Sequence, residues 1–314
     1  MNNQLFNISL SVVVPFYNDQ EVVEELCLRL ISVLETNFEN YEIIFIDDCS
    51  KDQTWDKLIS STKKFKNTTL LKLHKNSGQQ NAISAGLDIS TGDYIVLMDS
   101  DLQDRPEDIP ILVKTLLSNE ECQMAISRWI TREDSFIKKL FSKLFNKITL
   151  KITGIKHHEN LGVFRVFKRE VLTELYKYHE KTAPPLSLIY WIGFNYVPVD
   201  LIRDKRFAGK TGYNLRKMFS LAMSRIFSYS MFPIRLAIYS GILIACLSFI
   251  GAIFLIFQKF FGNVVPGWTS IITLILFLFG LNFIFLGIIG EYLGKIFLES
   301  KNRPRYHIYK KIKI

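Results

Sequence analysis

The sequence lacks the glycine-rich loops by which the commonest nucleotide folds hold phosphate. No GxGxxG follows its first predicted strand, which argues against a dinucleotide fold, and the absence of GxxxxGK[ST] removes the P-loop ATPases. Cysteine is sparse as well. Cys27, Cys49, Cys122 and Cys246 form no CxxC pair and no metal-ligand spacing with the five histidines. Scattered thiols of this kind fit a reducing compartment. No signal peptide is expected at the start, because the apolar run Leu10–Pro15 is short and has no basic flank. Neither an RNP-like strand nor a zinc module is present, so no nucleic-acid partner is expected.

Acidic residues are nearly missing from the last quarter of the chain. Residues 1–128 carry 11 Lys/Arg against 20 Asp/Glu, a net of −9. Residues 129–235 carry 20 against 8, and residues 236–314 carry 8 against 2. An acidic first third followed by a basic remainder implies different partners for different parts of the chain. The basic part could face nucleic acid or an anionic membrane, and the hydrophobic stretches beyond it favour the membrane.

Two long stretches have no charge at all. Leu236–Gln258 and Trp268–Gly290 each reach the roughly 20 residues needed to cross a hydrocarbon core of about 30 Å. A pair of buried helices in a soluble domain is the competing reading. The connector from Lys259 to Gly267 carries one charge, whereas Arg235 precedes the first stretch and Lys295, Lys301, Arg303, Arg305, Lys310, Lys311 and Lys313 follow the second. Positive flanks belong on the cytoplasmic side, which predicts a hairpin with both large ends in the cytoplasm.

The first 130 residues alternate between two periodicities. Strands are predicted at Leu10–Pro15, Tyr41–Ile46, Thr69–Leu73, Tyr94–Met98 and Met124–Ser127. Helices are predicted between them over Glu21–Thr36, Asp52–Lys64, Gly78–Ser90 and Glu107–Ser118. Continuous apolar strands in this order imply an α/β fold with a mostly parallel sheet covered on both faces. Ligands of such sheets bind at the C-terminal strand ends.

Acidic residues follow two of those strands. Asp47-Asp48-Cys49-Ser50 and Asp52 come after the second, and Asp99-Ser100-Asp101-Leu102-Gln103-Asp104 after the fourth. Neighbouring carboxylate clusters repel unless a cation or a hydrogen-bonding ligand lies between them. The Asp-x-Asp spacing lets Asp99 and Asp101 reach one divalent ion, with Gln103 as a neutral oxygen donor, and such hard ligands suit Mg²⁺ or Mn²⁺ held jointly with substrate phosphates. Asp48 and Asp52 have an alternative role as caps of the next helix. Tyr17, just past the first strand, is a candidate to stack on a base, or simply packs.

These motifs, taken together, resemble family 2 glycosyltransferases of the GT-A fold. The resemblance lies in Val12-Val13-Val14-Pro15-Phe16-Tyr17-Asn18, Asp47-Asp48-Cys49-Ser50-Lys51-Asp52-Gln53-Thr54 and Met98-Asp99-Ser100-Asp101-Leu102-Gln103-Asp104-Arg105-Pro106-Glu107. Asn76-x-Gly78 upstream and the two C-terminal stretches point to the polyprenyl-phosphate branch, and the resemblance spans nearly the whole chain. It implies a nucleotide-sugar donor, UDP-glucose first, and an undecaprenyl-phosphate acceptor at the bacterial inner membrane, with the catalytic domain in the cytoplasm. It implies that Pro15, Tyr17, Asp47, Asp48, Asn76 and Asp99 hold the nucleotide, and that Asp99, Asp101 and Gln103 ligate Mg²⁺ or Mn²⁺. The expected organisation is a nucleotide-sugar-binding core over residues 1–130, an acceptor-side segment over 131–232, two transmembrane helices within 233–292 and a basic tail over 293–314.

The acceptor side is basic. In residues 136–152, Phe136, Ile137, Leu140, Phe141, Leu144, Phe145, Ile148 and Ile152 fall on one helical face and five lysines on the other. That pattern predicts a helix lying on anionic lipid, with a core-packed helix as the alternative. Asn214–Phe232 repeats it less cleanly. A lipid phosphate needs fixed cations, for which Arg128, Arg132, Arg165, Arg206 and Lys210 are the candidates, Arg128 and Arg206 also for catalysis. Gly162-Val163-Phe164-Arg165 and the 203–213 loop resemble elements of the family. Asn160 stands where relatives commonly have Asp, so a base is not expected there. A phosphate monoester is already largely a dianion at pH 7 and needs none. The competing functions are a processive polysaccharide synthase and a non-catalytic nucleotide-sugar-binding module. A homo-oligomer built through the hairpin and tail is compatible with the sequence.

Overall fold

Three consecutive valines, Val12–Val14, favour extension because β-branched side chains pack well on a pleated surface. They form the centre of β1 (Phe6–Phe16). The computed structural model describes residues 5–129, 161–178, 180, 183–202, 204, 232–260 and 267–314. The predicted helix at 136–152, the segment 214–231, Arg132, Asn160, Arg206 and Lys210 lie outside the described residues.

After β1 the elements alternate as the periodicity requires. They run α1 (Val23–Asn37), β2 (Phe38–Asp47), α2 (Thr54–Thr62), β3 (Thr68–Leu73), α3 (Gln79–Ile89) and β4 (Tyr94–Leu97). A short 3₁₀ turn at Pro106–Asp108 leads into α4 (Ile109–Leu117), followed by β5 (Met124–Trp129). Beyond the predicted elements lie β6 (Leu161–Lys168), α5 (Arg169–Leu175), α6 (Pro185–Ile192) and β7 (Tyr196–Leu201). Two long helices, α7 (Phe232–Phe260) and α8 (Trp268–Ser300), precede a last strand, β8 (Ile308–Lys313).

The strands form one sheet in the order β7-β5-β6-β4-β1-β2-β3-β8. β4-β1-β2-β3 is parallel throughout, and β5 pairs parallel with β7, while β6 and β8 run antiparallel to their neighbours. From β1 the chain first builds outward through β2 and β3, then returns to lay β4 on the other side of β1. This reversal opens a crevice at the C-terminal ends of β1 and β4, where ligands of open α/β sheets bind.

Both faces of the parallel strands are covered. On one, Val12, Val14, Phe16, Ile43 and Phe45 meet Val23, Leu26, Leu30 and Leu34 of α1 and Leu112, Val113 and Leu116 of α4 in a single apolar cluster. On the other, α3 comes so close that a Cβ on Gly86 would lie 2.4 Å from Val13 Cγ1 and 2.7 Å from Ile46 Cδ1. Each fully buried aliphatic side chain contributes about 1.5–3 kcal/mol, so this two-sided core is the main source of rigidity beneath the crevice.

The chain divides into two compact units. One comprises residues 1–146, 155–212 and 303–314, and the other residues 147–154 and 213–302. In the second unit α7 packs along α8, with Gly241 against Phe285. Both helices are long and apolar enough to cross a membrane, and their large apolar side chains, among them Leu243, Phe249, Phe283 and Leu286, are exposed. α8 continues ten residues past the uncharged stretch that marked it in the sequence.

The C-terminal residues, expected as a basic tail, return to the sheet. Residues 303–314 belong to the sheet unit, where β8 pairs antiparallel with β3. Its lysines hide the strand in the sequence. Only Ile312 and Ile314 pack against the core, and backbone pairing to β3 supplies the rest.

Candidate active site

The loops at the ends of β1 and β2 are sewn together by backbone amides. Asn18 N–H donates to Ser50 Oγ (3.0 Å), Lys51 N–H to Asn18 Oδ1 (2.9 Å) and Asp19 N–H to Thr54 Oγ1 (3.0 Å). Gln20 N–H donates to Asp52 Oδ2, and Asp52 Oδ1 accepts both the N–H and the hydroxyl of Thr54. Asp52 therefore ties the start of α2 to the first loop, although the N-cap position belongs to Gln53 and carries no side-chain cap. Pro15 is buried beneath this loop pair, and Tyr17 stands above it 43% exposed.

The two aspartates after β2 have different roles. Asp47 is fully buried; its Oδ1 accepts the Ser50 N–H (3.1 Å), while Oδ2 has no hydrogen-bond partner and lies 3.9 Å from Lys72 Nζ. Burial pushes the Asp47 carboxyl above the ordinary aspartate value, against the pull of Ser50 and Lys72. Asp48 is spent on the protein, accepting the Ser77 N–H (2.7 Å) and the Gly78 N–H (2.8 Å). It fixes the β3–α3 loop, in which Asn76 is exposed and Gly78 takes a φ of +88°. Asp48, expected at the nucleotide, thus shapes this loop.

After β4 the chain enters the crevice. Asp99 Oδ1 accepts the Gln79 side-chain amide from α3 (2.7 Å), and the Ser100 hydroxyl donates to Asp19 Oδ2 (2.6 Å). Asp101 Oδ1 accepts the Gln103 N–H (3.2 Å), and the Gln103 amide donates to the Asp204 carbonyl (3.5 Å). Leu102, buried between them, is held at φ +57°. Asn18 and Cys49, at the other two strand ends, are also left-handed, at 55° and 59°. Non-glycine residues in this region cost energy and cluster where the surrounding structure over-determines them.

The donor set suits a hard divalent cation. Two carboxylates one residue apart and an amide oxygen leave coordination positions for phosphate oxygens and water, the arrangement Mg²⁺ favours. Among the described residues no group of three or more His, Cys, Asp or Glu could hold an ion.

Asp19 is a site residue that the sequence reading missed. It accepts from Ser100 and from the Tyr17 N–H, and burial raises its pKa, with the Asp101 and Asp52 charges adding to the rise. It thus joins the Tyr17 turn to the Asp99–Asp101 segment. Its signal was an acidic residue in the first strand-to-helix turn. Gln79 carried no signal at all.

The two candidate arginines within the described residues have protein partners. Arg165 is 3% exposed; its guanidinium donates to the Gly162 carbonyl (2.7 Å) and the Val163 carbonyl (2.9 Å) and lies 5.4 Å from the Tyr190 ring. β6 runs mid-sheet between β4 and β5, so this position faces the interior rather than a lipid phosphate. Arg128 is exposed on β5 and forms a two-pronged ion pair with Asp200, its register partner on β7. The guanidinium holds the Asp200 carboxyl below its ordinary range.

Comparisons with known proteins agree on the family. Residues 11–176 match the family described as glycosyl transferase family 2. An uncharacterised glycosyltransferase of Bacillus subtilis (strain 168) is 35% identical over 97% of this chain and 94% of its own length. A bactoprenol glucosyl transferase of Shigella phage SfX is 35% identical over 96% of this chain and 99% of its own. Glucosyl-3-phosphoglycerate synthase from Mycobacterium tuberculosis, solved with Mg²⁺ and uridine diphosphate, superposes with a TM-score of 0.51 at 20% identity, over 70% of this chain and 77% of that one. That likeness extends the agreement to the fold, a GT-A sheet with its helices. The chain is a member of glycosyl transferase family 2.

Proposed function

We propose that this enzyme transfers a hexose, glucose in the first instance, from a uridine-diphosphate sugar to a polyprenyl phosphate at the cytoplasmic face of a bacterial inner membrane. The observation that carries the reading is the crevice itself, with Asp47 at the end of β2 and Asp99–Asp101 at the end of β4, on either side of β1. Near-full-length similarity to a bactoprenol glucosyl transferase supports the choice of acceptor and sugar.

In this reading Tyr17 stacks on the base, and the partnerless Oδ2 of Asp47 accepts from its imide N–H. Asp99 orients the ribose and diphosphate while Gln79 steadies its carboxylate. Asp99, Asp101 and Gln103 would hold Mg²⁺ or Mn²⁺, which supplies Lewis-acid stabilisation of the departing diphosphate. An oxygen of the acceptor phosphate forms the new bond to the anomeric carbon as the bond to the diphosphate breaks, with inversion. No proton need move, because the acceptor is already a dianion. Arg206 and Lys210 remain candidates for holding that acceptor, with Arg128 joining them on release from Asp200.

Membrane attachment rests on α7 and α8. The chain leaves the sheet unit before α7 and rejoins it at Arg303. If the pair spans a bilayer as a hairpin, its basic flanks put both ends on the cytoplasmic side.

The test is transfer of label from a panel of nucleotide-sugars to undecaprenyl phosphate in detergent, with Mg²⁺, Mn²⁺ or EDTA. Organic-soluble label from UDP-glucose, abolished by EDTA, is the expected result. Transfer from no donor, with nucleotide binding indifferent to metal, would leave a membrane-bound binding module instead.

A further inference from the structure

The last twelve residues grip more than the edge of the sheet. Beyond the β8–β3 pairing, His74 N–H donates to the His307 carbonyl (2.9 Å), and the Tyr309 ring lies edge-on to the His74 imidazole at 5.2 Å. His74 is the first residue of the β3–α3 loop. The tail also reaches α3. Tyr306 Oη donates to Asp88 Oδ2 (2.5 Å), Tyr176 Oη takes the other oxygen of the same carboxylate (2.7 Å), and Arg305 donates to Ser84 Oγ and to the Glu180 carbonyl. Covering the edge of β3 requires none of these contacts to α3.

Their value lies in what α3 and its loop carry. Between Leu73 and Ala82 no residue enters the buried apolar core, so this segment has no hydrophobic anchor of its own. It is held by Asp48 at Ser77 and Gly78, and it supplies the Gln79 amide to Asp99. The tail fastens the segment at one end, through His74, and the far half of α3 through Ser84 and Asp88. Burial and the Asp88 charge both raise the Tyr306 phenol, so its proton stays available to donate.

We propose that Tyr306, His307 and Tyr309 are positioning residues of the donor site, holding the β3–α3 loop and α3 so that Asp48 and Gln79 keep their partners. The inference rests on the reading of this crevice as the nucleotide-sugar site. It gives the return of the chain from the long helices a function, since the segment that follows α8 sets the geometry of donor binding.

Tyr306→Phe and Tyr309→Ala, each in the full-length protein in detergent, test it. The readouts are donor KM, acceptor KM, UDP affinity by calorimetry and melting temperature. Donor KM and the UDP dissociation constant should rise together by about fivefold, the worth of one hydrogen bond. Acceptor KM should stay within about twofold, and the melting temperature should be nearly unchanged. Unaltered donor KM and UDP affinity in both variants overturn the inference. So does a parallel rise of both KM values with a fallen melting temperature, which marks a purely structural role. A wild-type protein that neither binds UDP nor transfers sugar sinks the donor-site reading itself and takes the inference with it.

Discussion

At the ends of β2 and β4, Asp99 and Asp101 stand at the crevice with Asp47 buried beside it, whereas on β5 and β6 Arg128 is drawn onto an exposed carboxylate and Arg165 onto carbonyls inside the fold. The aspartates were candidates because they follow strands, the arginines because a lipid phosphate needs fixed cations. The difference is positional. A loop leaving a parallel strand at a topological reversal has no neighbouring strand to consume its polar groups, so its carboxylates face the crevice. A strand interior has neighbours on both sides, and a long cation there finds carbonyls or a carboxylate to bond. Asp48 marks the boundary: it leaves the sheet at the right place, yet two amides of the next loop claim it.

The contrast is broken most severely at Asp101. Asp101→Ala should lower transfer by about two to three orders of magnitude, the scale of losing a transition-state stabiliser, with little change in melting temperature. Organic-soluble product formed at saturating Mg²⁺ measures it. Near-normal activity would show that the crevice carboxylates are structural after all.

Asp48→Ala should act through the fold. It strands the N–H groups of Ser77 and Gly78, at about 1–3 kcal/mol for each group left without a partner. Denaturant midpoints should fall accordingly and donor KM should rise with them. A loss of donor binding at full stability would instead make Asp48 a direct ligand contact.

Asp47→Asn should weaken UDP binding on the order of tenfold, since a charged acceptor is replaced. The raised pKa sets the sign of the pH response. As pH falls, Asp47 takes up its proton at a higher pH than an ordinary aspartate, so donor affinity should begin to decline earlier. Stability moves the other way. The folded state binds this proton more tightly than the unfolded one, so the contribution of Asp47 to stability falls as pH rises from 3.8 through the raised value. Asparagine should flatten both profiles, as calorimetry across pH would reveal.

Arg165→Met leaves two buried carbonyls without their donor and should cost about 1–3 kcal/mol, with acceptor KM unchanged. A selective rise in acceptor KM at intact stability would return Arg165 to the acceptor side. The smallest effect belongs to Arg128 and Asp200. Exposed pairs contribute little, so Asp200→Ala should leave the melting temperature where it is. If the freed Arg128 then binds lipid phosphate, acceptor KM should drop by a few-fold, and Arg128→Ala should abolish the gain.

Legibility followed the source of each element's stability. β1 to β5 and α1 to α4 could be read because their apolar periodicity is their packing: Val12–Val14 and Leu26, Leu30 and Leu34 are buried as spaced. α7 and α8 were legible from the absence of charge alone. β6 surfaced only as a motif and β7 not at all. β8 escaped because Lys310, Lys311 and Lys313 read as membrane flank, while its place in the sheet comes from backbone hydrogen bonds common to any sequence. The family was suggested by the resemblance of the Val12–Asn18, Asp47–Thr54 and Met98–Glu107 motifs, and the match over residues 11–176 shows it.

The sequence by itself determined the alternating α/β order, the acidic strand ends and the two charge-free stretches, because each is a pattern local in the chain and dictated by burial or solvation. Only the tertiary structure decided which charges remain at the crevice, that Asp19 and Gln79 steady Ser100 and Asp99, and that the C-terminus closes the sheet beside β3. Those outcomes depend on groups 20 to 240 residues apart meeting in space, and a one-dimensional pattern carries no term for the distance between them.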